Sequence, residues 1–237
     1  RIYPLAWTWL LITLIATYSF NSSGVFGSID ANIEATIAGI FQFANYRFQQ
    51  TFMHEEYGAS FVYWSLSLEE QFYIALPLVM IIFRRLALPV LAILLIYKLY
   101  ITSYNFAFRY EGLLMGVLLS QCLKTKPYEY FRAFVANANI NIIRLICYSC
   151  IVAIFITLGD LSKDILSISK FKYAAALALV VVAFASCDRD ILLNRGRTND
   201  LFCWIGSRSF ALYLAHIPAF FIIREISYLV LGHQQPG

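Results

Sequence analysis

At 237 residues, 60% of them hydrophobic and 14% charged, the chain is poorer in charge than an ordinary soluble domain, in which roughly a quarter of residues are charged. Apolar stretches recur along its whole length and the short alternating segments of a β-barrel are not visible, so the expected class is all-α, a polytopic transmembrane helical bundle. The net charge of +4 is scattered over loops between apolar runs, where it speaks to orientation in a membrane and not to a nucleic-acid partner.

The sequence opens at Arg1 and passes directly into "IYPLAWTWLLITLIATYSF", without the basic region, short apolar core and cleavage site of a signal peptide. So abrupt a membrane entry is expected of an N-terminally truncated chain. Strong spans are predicted at about 3–20, 66–83, 86–101, 106–122, 140–158, 172–187 and 203–231, giving about seven to eight with the weaker stretch 31–46. In that stretch Ile33, Ile37, Ile40, Phe41 and Ala44 share one helical face, while Glu34, Gln42 and Asn45 interrupt the rest. It reads as a span, an amphipathic helix or a re-entrant helix. If 31–46 does not cross and Arg1 is cytoplasmic, Arg84, Arg85, Lys124, Lys126, Arg132, Arg189, Arg195 and Arg197 all fall on the cytoplasmic side. A crossing there would turn those same loops outward, against the positive-inside bias. Seven crossings with residues 21–65 at the outer face follow. No internal repeat or low-complexity tract appears, so residues 1–237 read as a single integral-membrane domain. Cys147 and Cys150 form a C-x-x-C inside an apolar run, where small residues packing between helices explain them better than a redox or metal pair; no metal site is expected.

The most informative stretch is "YWSLSLEEQFY", residues 63–73. Ser67 followed three residues later by Glu70 fits a capping box, which would give Glu70 a structural task. Glu69 falls in the same first turn, where the helix dipole favours an anion, and it shares a face with Ser65, Phe72, Tyr73 and Leu76. Trp64, Ser67 and Gln71 point elsewhere, so the turn is polar nearly all round and belongs against protein or a water-filled cavity. An interfacial anchor is the plainer alternative for Glu69. Pro77, inside the same helix, removes the hydrogen bond to the Tyr73 carbonyl and is expected to bend it.

Further along, "FRYEGLLMG" puts Arg109 and Glu111 at a span entrance, with Gly112-x-x-x-Gly116 as a close-packing face. Arg109 could complement Glu69, bind an anionic group, or snorkel to lipid headgroups. In "IGSRSFALYLAHIP" Ser209, Tyr213 and His216 lie at i, i+4 and i+7 on one face; a lone intramembrane histidine also serves as a hydrogen-bonded packing residue. Arg1, at the cytoplasmic start of the first span, could hold the phosphates of a donor.

In combination these residues resemble a known family. "WSLSLEEQFYIALPL" closely resembles the W-S-L-S-V-E-x-Q-F-Y…P signature of the membrane acyltransferase 3 family, the O-acyltransferases of bacterial surface glycans. "RIYPL", "FRYEGLLMGVLL" and "WIGSRSFALYLAHIP" are similar to further segments of that family, in the same order and spacing. Leu68 stands where the family usually has valine, Phe210 where tyrosine is frequent, and Arg208 where an apolar residue is common. Two earlier spans of the family, carrying an arginine and a histidine central to acyl transfer, have no counterpart here.

The resemblance implies an integral protein of the bacterial inner membrane that moves an acyl group, usually acetyl, from acyl-CoA to a hydroxyl of an envelope or lipid-linked glycan. Its partners would be the bilayer, the donor acyl-CoA and the saccharide acceptor, with no tightly bound cofactor. Glu69 and His216 would be catalytic. Trp64, Ser65, Gln71, Tyr73, Arg109 and Tyr213 would meet the substrate, and Arg1 would lie on the donor side. A hydroxyl needs a base within hydrogen-bond reach to become a useful nucleophile, and a carboxylate or histidine supplies one. The rival readings are a glycan or lipid transporter or flippase, which would show paired halves with matching interrupted helices, and a non-catalytic membrane fragment.

Overall fold

A computed structural model describes residues 2–51, 56–100, 109–159, 168–187, 191–194 and 196–231. Every regular element among them is helical. In chain order these are α1 (Ile2–Ser19), α2 (Ile29–Ile40), α3 (Ala44–Thr51), α4 (Tyr63–Phe83), α5 (Ala87–Tyr100), α6 (Glu111–Cys122), α7 (Lys126–Asn137), α8 (Ile140–Gly159), α9 (Ile168–Ala185), α10 (Arg197–Gly206) and α11 (Ser209–Val230). A 3-10 turn at Arg84–Leu86 separates α4 from α5, with Arg84 in the left-handed region at φ 48°.

Among the described residues four stretches are long and apolar enough to cross a membrane: Ile2–Ser19, Tyr63–Tyr100, Ile140–Gly159 and Ser209–Val230. Several expected spans take a different form. The run 203–231 is broken at Ser207–Arg208 into α10 and α11, and the described part of 106–122 is the 12-residue α6. The weak stretch 31–46 is also divided. Its first helix, α2, has 12 residues, or ~18 Å at 1.5 Å per residue, short of the ~30 Å hydrocarbon core. The chain then turns through Gln42, at φ 59°, into the eight residues of α3.

The chain divides into two compact units, one of Arg1–Ile74, Asn105–Arg109 and Trp204–Gly237, the other of Ala75–Tyr104 and Tyr110–Cys203. In the first, Ala6 and Leu10 of α1, Ala38 of α2, Ala44 of α3, Val62, Tyr63 and Leu66 around the start of α4, and Leu214 of α11 form one buried cluster. Alanines here let helices approach closely, and a fully buried Tyr63 ties two of them by donating its hydroxyl to the Ala6 carbonyl at 2.5 Å. The sequence around α2 makes its own start and anchor. Ser28 caps it by accepting from the Ala31 amide, and Asp30 complements the helix dipole. Asn32, fully buried, donates to the Phe26 and Ser28 carbonyls and accepts from the Ala59 amide at 2.9 Å. That places Gly58 against Asn32, where φ 98° and the lack of a side chain are both required. Burial pushes the Tyr57 hydroxyl above the ordinary tyrosine range, while the neighbouring Arg47 guanidinium pulls it partly back.

In the second unit α8 packs along α9, and α6 packs against both α5 and α9. Its core joins Val135, Ile143, Cys147, Cys187 and Ile191, with Tyr128, Phe131 and Phe184 against them. Cys147 is thus a small buried packing residue. Basic side chains serve backbone carbonyls here: Arg132 Nε donates to Cys187, Arg144 Nε to Ile191, and Lys172 Nζ to Lys98 and Leu99 at the end of α5. The Gly112–Gly116 pair is not the close-packing face expected of it. A Cβ built at either glycine meets no atom within 4 Å among the described residues.

Candidate functional site

Helix α4 begins at Tyr63, with the Tyr63 and Trp64 amides donating to the Ser60 and Phe61 carbonyls. Ser67 therefore lies one turn inside the helix, and the expected capping box is not formed. The fully buried Ser67 hydroxyl accepts from the Ala44 amide at 3.2 Å, docking α3 on α4. Glu70 turns to α1, where its carboxylate accepts from the Tyr3 hydroxyl at 2.8 Å. The helix starts early because Ser60 and Phe61 supply its first turn, leaving both serines of "SLS" free for contacts to other helices.

Gln71 and Asn45 face each other as a reciprocal amide pair. Asn45 Nδ2 donates to Gln71 Oε1 at 3.0 Å, and Gln71 Nε2 donates to Asn45 Oδ1 at 2.9 Å and to the Gln42 carbonyl at 2.8 Å. This holds the left-handed Gln42 in place, so Gln71 is committed to joining α3 to α4. Trp64 is likewise engaged: its ring stacks on Phe48 of α3 at 5.5 Å with an interplanar angle of 14°. Tyr73 is more than half exposed.

The remaining expected residues meet α11. The Ser65 and Tyr213 hydroxyls lie 2.5 Å apart, and Tyr213 also donates to the Val62 carbonyl at 3.0 Å. Half-buried Glu69, one turn beyond Ser65, sits within electrostatic reach of the Tyr213 hydroxyl and of Glu70, and accepts no hydrogen bond among the described residues. His216 lies one turn beyond Tyr213, with ring centroids 5.5 Å apart. Its Nδ1 is 2.5 Å from the Tyr213 carbonyl, which can only accept. Nδ1 is therefore the donor of this contact, and Nε2 is the ring nitrogen it leaves unengaged. Prolines one turn or more further on, Pro77 in α4 and Pro218 in α11, leave the Tyr73 and Leu214 carbonyls without their helical donors.

The structure thus brings Ser65, Glu69, Tyr213 and His216 to one place and sends Trp64 and Gln71 to α3. Arg109 is half-buried at the entrance to α6. Arg1 lies outside the described residues. Three polar features escaped the sequence reading: Tyr3 on Glu70, Arg47 with Glu34, and Glu225. Glu225 is 2% exposed and accepts from the Ser22 and Ser23 amides and from the Ser23 hydroxyl, closing the turn after α1 onto α11. A glutamate inside a weak apolar stretch with an arginine just after it, and a carboxylate inside an apolar helix, were the available signals for the last two. Among the described residues no cluster of side chains could hold a metal ion.

Comparison with protein-family models, with curated proteins and with solved structures finds no match for this chain.

Proposed function

We propose that the chain is a membrane-bound O-acyltransferase that moves an acyl group, acetyl in the simplest case, from acyl-CoA to a hydroxyl of an envelope glycan. One observation carries this reading. Among the described residues, a carboxylate that accepts no hydrogen bond, a tyrosine–serine hydroxyl pair and a histidine whose Nε2 is unengaged gather on two helices apolar enough to cross a membrane. The likeness of residues 63–77 to the acyltransferase 3 signature supplies the reaction class.

In the proposed reaction the acceptor hydroxyl approaches Glu69. The Glu69 carboxylate, or His216 Nε2, takes the hydroxyl proton as the oxygen attacks the thioester carbonyl. The new C–O bond forms, the C–S bond breaks, and the protonated base returns its proton to the sulfur, so CoA leaves as the thiol and the base is regenerated. Tyr213 and Ser65 fix the positions of α11 and α4 around the reacting groups. Tyr73, exposed, and Arg109 remain the proposed outer contacts of the substrate, and Arg1 the donor contact. Trp64 and Gln71 act by positioning α3. The proposed location is a bacterial inner membrane, which α2 is too short to cross. The hydrogen bond from Tyr3 to Glu70 sets the start of α1 beside Glu69, so Arg1 on the cytoplasmic face and residues 21–65 on the outer one are not both kept.

Mass spectrometry of cell-surface glycan, with and without the gene for the full-length protein, tests the activity. Loss of an acetyl mass on intact glycan is the expected result. Unchanged acylation overturns the reading, and loss of glycan export in its place makes the protein a transporter.

A further inference from the structure

Away from Glu69, the turn through Gln42 folds α3 back beside α2 and opens a cleft of about 500 Å³ lined by Glu34, Ile37, Phe43, Tyr46, Arg47, Gln50 and Thr51. A volume of this order falls in the range of small-molecule sites. Its charged residues are unusual for so short a pair of helices. Arg47 is buried, 8% exposed, with Nη2 donating to the Ala31 carbonyl at 3.0 Å and the Tyr57 carbonyl at 3.3 Å, and its guanidinium over the Tyr57 ring at 4.9 Å. The same nitrogen pairs with Glu34 Oε2 at 3.3 Å. Arg47 Nε, also buried, has no hydrogen-bond partner among the described residues. A purely structural arginine would be expected to use that donor, because an unmet buried N–H costs ~1–3 kcal/mol.

The charge state of the cleft selects among ligands. Arg47 and Glu34 cancel, so an incoming anion would have to compete with Glu34 for a guanidinium already holding three acceptors. A cation would have to displace Arg47 from Glu34. A neutral polyhydroxyl ligand meets neither obstacle. Its hydroxyls can donate to the Glu34 carboxylate, whose side chain is 69% exposed, and accept from the exposed Gln50 amide. Phe43 and Tyr46, 40% and 42% exposed, offer ring surface to the C–H face of a pyranose.

We infer that the cleft between α2 and α3 binds a neutral sugar unit of the acceptor, with Glu34 and Gln50 as its main polar contacts. This rests on the acyltransferase reading for its biological meaning, though not for the binding itself. The cleft is not independent of Glu69. The Asn45–Gln71 pair and the Ala44 amide on Ser67 fix α3 to the start of α4, so a sugar held here is held on the frame that carries the carboxylate.

The test uses the full-length protein in lipid nanodiscs, with methyl glycosides of glucose and N-acetylglucosamine as probes read by saturation-transfer NMR. Glu34→Ala and Gln50→Ala, both at exposed positions, are compared with the wild type after thermal unfolding has shown all three to be folded. At least one glycoside should show saturation transfer with the wild type, reduced fivefold or more in each variant and undisturbed by millimolar inorganic phosphate. Absence of transfer in the wild type, equal transfer in the variants, or displacement by phosphate overturns the inference. Acyl transfer from acetyl-CoA in the same preparation is scored separately. Glycoside binding without any acyl transfer leaves the sugar cleft standing and removes the enzyme reading.

Discussion

The first unit buries Asn45, Arg47, Ser67 and Glu225, whereas the buried side chains of the second, from Ala87 and Leu114 to Cys147 and Ile191, are apolar. In the second unit, Arg132, Arg144 and Lys172 reach backbone carbonyls from exposed or half-buried positions. The contrast separates two ways of specifying a helical arrangement. Apolar packing holds helices by shape and tolerates small changes, while a buried polar contact is costly unless its partner is in place. A unit that accepts that cost repeatedly is held to one geometry, which is what a site for chemistry requires.

The largest effect is expected of Glu225→Ala. It removes the buried carboxylate that the Ser22 and Ser23 amides donate to and should cost ~3 kcal/mol, against ~1 kcal/mol for Cys147→Ala in the second unit. Thermal unfolding in detergent checks both, and equal losses would dissolve the distinction. Next comes the amide pair. Asn45→Leu and Gln71→Leu should each cost ~2 kcal/mol, and the double variant less than their sum by ~1 kcal/mol, because removing both partners leaves fewer groups unmet. Strict additivity would show that this pair does not join α3 to α4.

Glycines extend the contrast. Gly58→Ala sets a Cβ 2.8 Å from Asn32 Oδ1 at a positive φ and should destabilise by ~2 kcal/mol. Gly116→Ala, in open space within α6, should stabilise by up to ~1 kcal/mol. A destabilised Gly116→Ala would restore the packing face that the spacing with Gly112 implied. The smallest effect concerns Tyr128, which donates to the Ala183 carbonyl at 3.0 Å and whose hydroxyl is pushed up to about 12, chiefly by burial. Because the folded state favours the neutral hydroxyl, its contribution is complete below pH 10 and lost as pH rises toward 12. Tyr128→Phe should cost about 1 kcal/mol at neutral pH and show a shallower alkaline loss in the same unfolding experiment.

The helical, membrane-compatible character was legible because it depends on composition, and the ends of α1 and α8 fall within a residue or two of where apolarity begins and stops. The start of α4 was not legible. The Ser67–Glu70 spacing matched a cap, but the residues before it, Ser60 to Tyr63, already closed a helical turn, and local pattern cannot show that Ala44 and Tyr3 would compete for those side chains. The alignment of Tyr213 and His216 on one helix face was readable from spacing. Its meeting with Ser65, 148 residues away, was not. Glu34 and Asn45 were read as polar interruptions of the rest of a weak stretch, because their partners Arg47 and Gln71 become apparent only once the chain has turned at Gln42.

In the proposed function Glu69 serves acyl transfer and not the fold. The most direct measurement is the rate of acetyl transfer from acetyl-CoA to isolated surface glycan by the full-length protein carrying Glu69→Gln, with membrane insertion and thermal stability followed in parallel. The rate should fall by roughly 10²–10⁴-fold while insertion and stability stay within error of the wild type, since Glu69 accepts no hydrogen bond among the described residues. A variant that transfers acetyl at the wild-type rate would contradict it.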